Sequence, residues 1–136
     1  MTTVHLRSEE SAPPELKAVF EEIREHFGLD EIHNGAKAFV YRPEVLQQAW
    51  DNYKEAEKTW GKETLFLINL AVAMERNCPY AINFNTATLK QLGYEDSKIE
   101  NVVHLISSAA QRYDYVNGLQ IESDVTPDTV ARKMAA

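Results

Sequence analysis

The chain has 136 residues, a net charge of −7 at pH 7, 44% hydrophobic and 26% charged residues, and a single cysteine. That length carries one domain-sized core without metal or disulfide staples, and the composition is globular rather than low-complexity or disordered. The acidic balance, with 14 dispersed Lys and Arg, argues against nucleic acid, whose phosphates need clustered basic residues; no apolar run nears the roughly 20 residues of a membrane span.

Met1–Arg7 lacks the apolar run of a secretory leader, and a lone cysteine forms no internal disulfide, so a reducing, cytoplasmic setting is the expectation. The pattern predicts one domain over residues 1–136, with 1–11 and 122–136 as peripheral tails. Ser11-Ala12-Pro13-Pro14-Glu15 is a helix start, because proline suits the first turn and an acid there suits the dipole. Leu16, Val19, Phe20, Ile23 and Phe27 then recur at helical spacing as one apolar stripe, and Gly28 ends the helix. Asp30 to Arg42 reads as a connection with a turn or two of helix around Ala36 to Val40. Pro43 opens the next helix, with Val45, Leu46, Ala49, Trp50 and Tyr53 on its buried side and Gly61 at its end. From Lys62 to about Arg76 the pattern is apolar nearly all round, as in a helix inside a core or at a subunit interface.

Asn77-Cys78-Pro79 breaks that helix and starts another, which Gly93 closes. Glu95 and Asp96 open a long helix through Ile99, Val102, Val103, Ile106, Ala109, Ala110, Tyr113 and Val116, with Gly118 at its end. Thr126-Pro127-Asp128 can cap one short helix ending near Met134. No segment alternates with the period of a strand. An all-α fold of about six helices is the expectation.

Cys78 stands at the start of a helix, whose partial positive charge favours a thiolate. Positions 78, 81 and 85 fall on one helical face. Two readings follow from the residues alone: a reactive thiol, or the small buried hydrophobe that lone cysteines more often are.

The run Leu70-Ala71-Val72-Ala73-Met74-Glu75-Arg76-Asn77-Cys78-Pro79-Tyr80 is followed by Asn85-Thr86-Ala87 and Lys90-Gln91-Leu92-Gly93. With Pro14-Glu15-Leu16 and Tyr41-Arg42-Pro43-Glu44-Val45-Leu46 upstream, it resembles the alkylhydroperoxidase D (AhpD-like) and carboxymuconolactone decarboxylase superfamily over about residues 12–122. The resemblance implies an all-α, oligomeric domain. In redox-active members it implies a Cys-x-x-Cys-x-x-x-His motif with a glutamate twelve residues before the first cysteine. There the second cysteine attacks peroxide, the first resolves the disulfide, and the Glu and His relay protons. On those positions this chain carries Cys78, Ala81, Asn85 and Phe66. The motif is therefore degenerate: a methyl and a phenyl group move no protons, and Asn85 does not titrate near neutral pH. A two-cysteine thiol peroxidase cycle is expected to be absent. The histidine of the decarboxylase branch also falls on Asn85.

Substitute groups are few. Glu63 lies one turn before Phe66 and can serve as a displaced carboxylate, or simply as a solvated acid in a first helical turn. His104 flanks the apolar stripe of the long helix, as a base or as an ordinary half-buried histidine. Tyr80 and Tyr113 offer hydroxyls to a pocket, or are rim aromatics with wet tips. His5, His26, His33 and His104 are dispersed and form no metal-ligand spacing, and no phosphate loop occurs, so neither metal nor cofactor is expected. Three functions remain in view: a one-cysteine antioxidant reducing peroxide through Cys78 with an external thiol, a non-catalytic ligand-binding or scaffold protein, and a decarboxylase-like lyase or isomerase. A homo-oligomer (dimer, trimer or hexamer) is expected in each case.

Overall fold

Three prolines set where helices begin, each in the first turn and each without the N–H that a helix interior would need: Pro14, Pro43 and Pro79. The computed structural model describes residues 3–130. Its helices are α1 (Pro14–Phe27), α2 (Asn34–Lys37), α3 (Pro43–Trp60), α4 (Lys62–Glu75), α5 (Pro79–Gln91) and α6 (Asp96–Gly118), followed by a helical stretch at 127–130. No strand occurs among the described residues. No helix among them is long and apolar enough to cross a membrane. The chain divides into two compact units, Met1–Gly93 and Tyr94–Ala136.

In the first unit, the α1 stripe seeds a core in which Leu16, Val19 and Phe20 join Ala12, Ile32, Val40, Leu46 and Trp50. Gly28 closes α1 in the left-handed conformation (φ 63°), with Leu29 N–H donating to the Arg24 carbonyl at 2.9 Å. Glu9 ties this end together. One carboxylate oxygen accepts from Arg24 at 2.8 Å, and the other from the Ile32 N–H at 2.6 Å. α3 packs on α1, and its Trp50 indole N–H donates to Glu22 of α1 at 2.8 Å. Helix α4 packs against both α3 and α5, burying Phe66, Leu70 and Ala73.

Three local expectations shift. The short helix of the connection lies at Asn34–Lys37 rather than around Ala36 to Val40. Residues 38–41 continue as tight turns, with Phe39 N–H donating to the Ala36 carbonyl and Val40 N–H to that of Lys37. A single helical turn has no stability of its own, so tertiary contacts choose its register. On α3, Leu46 and Trp50 are buried while Val45 and Ala49 are exposed; the i, i+4, i+7 line through Tyr53 fills the space that α1 leaves. On α4, Ile68 and Val72 are about half exposed, at 52% and 53%, so the apolar helix is covered on one side.

In the second unit, α6 has no buried side chain; Ile99, Val102, Val103 and Ile106 are half-buried, whereas Tyr113 and Val116 are exposed. Lys98 Nζ lies 3.8 Å from the centre of the Tyr94 ring. Helix α6 ends through Gln120 (φ 52°), with Ile121 N–H donating to the Val116 carbonyl. Thr126 Oγ1 accepts from the Thr129 N–H while Thr129 Oγ1 accepts from the Thr126 N–H, a reciprocal cap on the stretch at 127–130. The expected end of that helix near Met134 lies outside the described residues.

Leu70 is completely buried. Leu70→Ala is expected to cost about 2–5 kcal/mol, read as a lower guanidinium midpoint with an unchanged m-value.

Candidate functional site

The junction between α4 and α5 assigns one job to each of three successive residues. Asn77 takes the left-handed conformation (φ 49°) that ends α4, and Asn bears it better than other side chains. Its N–H donates to the Met74 carbonyl at 3.1 Å, and Cys78 N–H donates to that of Ala73 at 3.0 Å, which closes α4 as a glycine would. Cys78 then caps α5 in an extended conformation, its carbonyl accepting from the Ile82 N–H at 2.9 Å, and Pro79 begins the helix. The Cys78 side chain is half-buried and makes no capping hydrogen bond.

The other positions singled out by the motif face inward. Asn85 is 5% exposed, and its Nδ2 donates to the Ala81 carbonyl one turn back at 2.7 Å, so the amide is turned onto its own helix. Ala81 adds a half-buried methyl group. Phe66 is fully buried, and its ring centre lies 6.4 Å from that of Phe27, 6.3 Å from Tyr53 and 6.1 Å from Phe84. Among positions 66, 78, 81 and 85, the thiol is the only group with acid, base or redox chemistry near neutral pH.

Glu63 is exposed in the first turn of α4, and Glu75 is exposed in its last. His104 and Tyr113 are exposed on α6, in the second unit. Tyr80 reaches across to α2, where its hydroxyl accepts from the Gly35 N–H at 2.8 Å. A Cβ at residue 35 would lie 2.8 Å from Tyr80 Cε1, so glycine is what lets the phenol ring approach. No group of three or more Cys, His, Asp or Glu suited to a metal ion occurs among the described residues.

Two groupings had no sequence signal. In the first, the segment around α2 leans on α5 and leaves three adjoining depressions of about 540, 260 and 180 Å³, each lined by His33 and Phe84. His33 packs its ring edge-on to Phe84 with centres 5.6 Å apart. Cys78 lines none of the three. In the second, His26 Nε2 meets Glu57 Oε2 at 2.7 Å beside a 400 Å³ depression shared with Lys54 and Lys58. Burial pushes the Glu57 carboxyl upward, but the hydrogen bond with His26, the nearby Tyr53 hydroxyl and the charges of His26 and Lys62 outweigh it and hold the group below its ordinary value. Burial, with Glu57 close by, raises the Tyr53 phenol well above its ordinary range, and the Tyr53 hydroxyl lacks a hydrogen bond of good geometry. These partners are far apart in the chain, and no motif links them.

Superposition on known structures identifies the architecture. The crystal structure of the alkylhydroperoxidase AhpD core from Rhodospirillum rubrum ATCC 11170 matches with a TM-score of 0.78 and 30% sequence identity, over 91% of this chain and 95% of that one. The helical arrangement is thus the AhpD-like fold. The chain belongs to the AhpD-like family. No family model matches it, and neither does any curated protein.

Two outcomes are expected here. Glu57 has a lowered folded pKa, so its stabilisation is complete above the ordinary value of 4.5 and is lost as pH falls through the folded value. Glu57→Gln should lower the melting temperature at neutral pH and flatten the acid side of a Tm–pH profile. Asn77→Gly should melt like the parent, while Asn77→Val should lose about 1–2 kcal/mol in chemical denaturation, because a β-branched side chain resists the left-handed conformation.

Proposed function

We propose that this chain is an AhpD-family thiol protein that has lost the two-cysteine peroxidase cycle, and that its remaining redox chemistry is a one-cysteine reaction of Cys78 with peroxide. The observation that carries this reading is the place of the sole cysteine: Cys78 caps α5 at its positive end with its side chain half-buried rather than sealed. Ala81 supplies no second thiol, Phe66 fills its place with aromatic packing, and Asn85 hydrogen-bonds to its own helix. In the reaction the thiolate sulfur attacks the terminal peroxide oxygen. An S–O bond forms as the O–O bond breaks, the alkoxide leaves and takes a proton, and Cys78 becomes a sulfenic acid. An external thiol then condenses with the sulfenic acid and releases water, and a second thiol reduces the mixed disulfide. The expected setting is the reducing cytoplasm, where such thiols are abundant.

A second reading, ligand binding without catalysis, is favoured by the cavity of about 180 Å³ beside His33. The lyase or isomerase reading has less support, since Glu63 and His104 are both exposed. Under either favoured reading we propose a homo-oligomer, a dimer, trimer or hexamer, because Ile68 and Val72 leave an apolar side of α4 uncovered.

The test follows consumption of hydrogen peroxide and cumene hydroperoxide in the presence of dithiothreitol, with dimedone trapping and mass spectrometry. Slow turnover with a dimedone adduct on Cys78, both abolished in Cys78→Ser, is the expected result. Consumption above the buffer rate that persists unchanged in Cys78→Ser would overturn the proposal, as would a Cys78 that yields no adduct.

A further inference from the structure

Helix α6 carries a repeat that its own unit leaves largely uncovered. Val102, Leu105, Ala109, Arg112, Val116 and Leu119 follow one another at alternating steps of three and four residues. That is the spacing of the a and d positions of a coiled-coil seam, and Arg112 alone interrupts it with a charge. Leu119 keeps helical backbone angles (φ −84°, ψ −3°), so the line is continuous to its end. The exposed large apolar side chains of the helix gather on and beside this line. Leu105, Val116 and Leu119 lie on it and Tyr113 and Tyr115 flank it, all between 46 and 71% exposed. The far side carries Ser107, Gln111, Asp114 and Asn117. No side chain of α6 is buried.

The area suits a protein partner. Covering a Val or Leu side chain removes roughly 60–120 Å² of apolar surface from water, and a tyrosine buries about 150–250 Å². Scaled by their exposure, the five side chains offer roughly 400–450 Å². A standard interface takes about 800 Å² from each partner, of which about 56–65%, or roughly 450–520 Å², is apolar. The helix therefore presents nearly the whole apolar part of a stable interface. A membrane surface is a poor occupant, because interfacial helices carry Lys and Arg on their polar face. Between Ile99 and Leu119 the only such residue is Arg112, which stands on the seam itself.

The line is complementary to itself in one orientation. Run antiparallel, two copies bring every position on it opposite another, and the small Ala109 leaves room for the long stem of Arg112, whose head reaches water at the edge. Run parallel, two Arg112 side chains would meet, and like charges repel. We infer that α6 pairs with α6 of a second copy of this chain as an antiparallel seam, Val102 against the partner's Leu119, Leu105 against the partner's Val116 and Ala109 against the partner's Arg112. This rests on the homo-oligomer reading and places one interface on α6 rather than on α4.

Sedimentation equilibrium and disulfide trapping on the full chain test the pairing. The parent should be a dimer or a multiple of two. Leu105→Glu/Val116→Glu, altered where the side chains already meet water, should halve the assembly mass and keep the helical circular dichroism. In a Cys78→Ser background, Leu105→Cys/Val116→Cys should link into a disulfide dimer on mild oxidation, whereas Leu105→Cys alone should not. Antiparallel pairing keeps the two copies of residue 105 about 16 Å apart along the axis, beyond the roughly 7 Å reach of a disulfide, and sets 105 beside 116. The cross-link keeps the test decisive if the glutamate variant fails to fold. A monomeric parent, with α6 left to some other protein, would overturn both this inference and the homo-oligomer reading. A trimeric parent would overturn this inference alone, as would an assembly mass that falls in Ile68→Glu but not in a folded Leu105→Glu/Val116→Glu. Linking of Leu105→Cys by itself, or a double cysteine variant that stays unlinked, would overturn it equally.

Discussion

The ring of Phe66 is where four helices are tied together. From α4 it meets Phe27 of α1, Tyr53 of α3 and Phe84 of α5, each with ring centres between 6.1 and 6.4 Å away. Aromatic pairs at such distances add about 0.5–1.5 kcal/mol each beyond the area they bury. The contacts also fix directions. Phe27 and Phe84, both packed on Phe66, also line the apolar cavity near His33. Around them Trp50 stacks on Tyr53 with planes 8° apart, and Lys62 lies 5.0 Å from the centre of the Phe27 ring. An ionised carboxylate at position 66 would be buried among hydrocarbon rings, a placement that costs several kcal/mol without a paired charge.

The turn between α4 and α5 is built by different means and is almost wholly local. Asn77 reverses the backbone, Cys78 caps and Pro79 starts the next helix, so three residues join two packed helices without a loop. The AhpD-like architecture therefore persists here on backbone chemistry and helix packing. Neither needs a second cysteine, a histidine or a buried acid. The fold is thus specified by packing and local backbone chemistry, and the family relationship speaks to architecture far more directly than to activity.

What was readable in the sequence divides along the same line. Pro14, Pro43 and Pro79 start helices and Gly28 ends one through interactions within a few residues of one another, and the helical spacing of the α1 stripe marks the face that the core covers. The junction at Cys78 was equally legible. The register of α2 was not, because a four-residue helix is positioned by Tyr80 and its neighbours rather than by its own preferences. The exposure of Val45 and Ala49 depends on where α1 lies, which periodicity along α3 does not encode. The His33 cavity joins residues 23 to 36 with residues 80 and 84, and the His26–Glu57 pair spans 31 positions. Such pairings exist only once the helices have packed, so a single sequence gives no spacing by which to find them.

The two tryptophans, both on α3, sit in opposite surroundings. Trp50 is buried, donates to Glu22 and is stacked on Tyr53, whereas Trp60 at the helix end is 65% exposed. The chain thus holds a shielded and a wetted indole ten residues apart on one helix. An indole shielded from water emits further to the blue than a solvated one, so the two are expected to separate by colour. Phe27 lies 6.0 Å from Trp50, centre to centre, and also walls the apolar cavity, so the blue component monitors the ground between core and cavity without any attached dye.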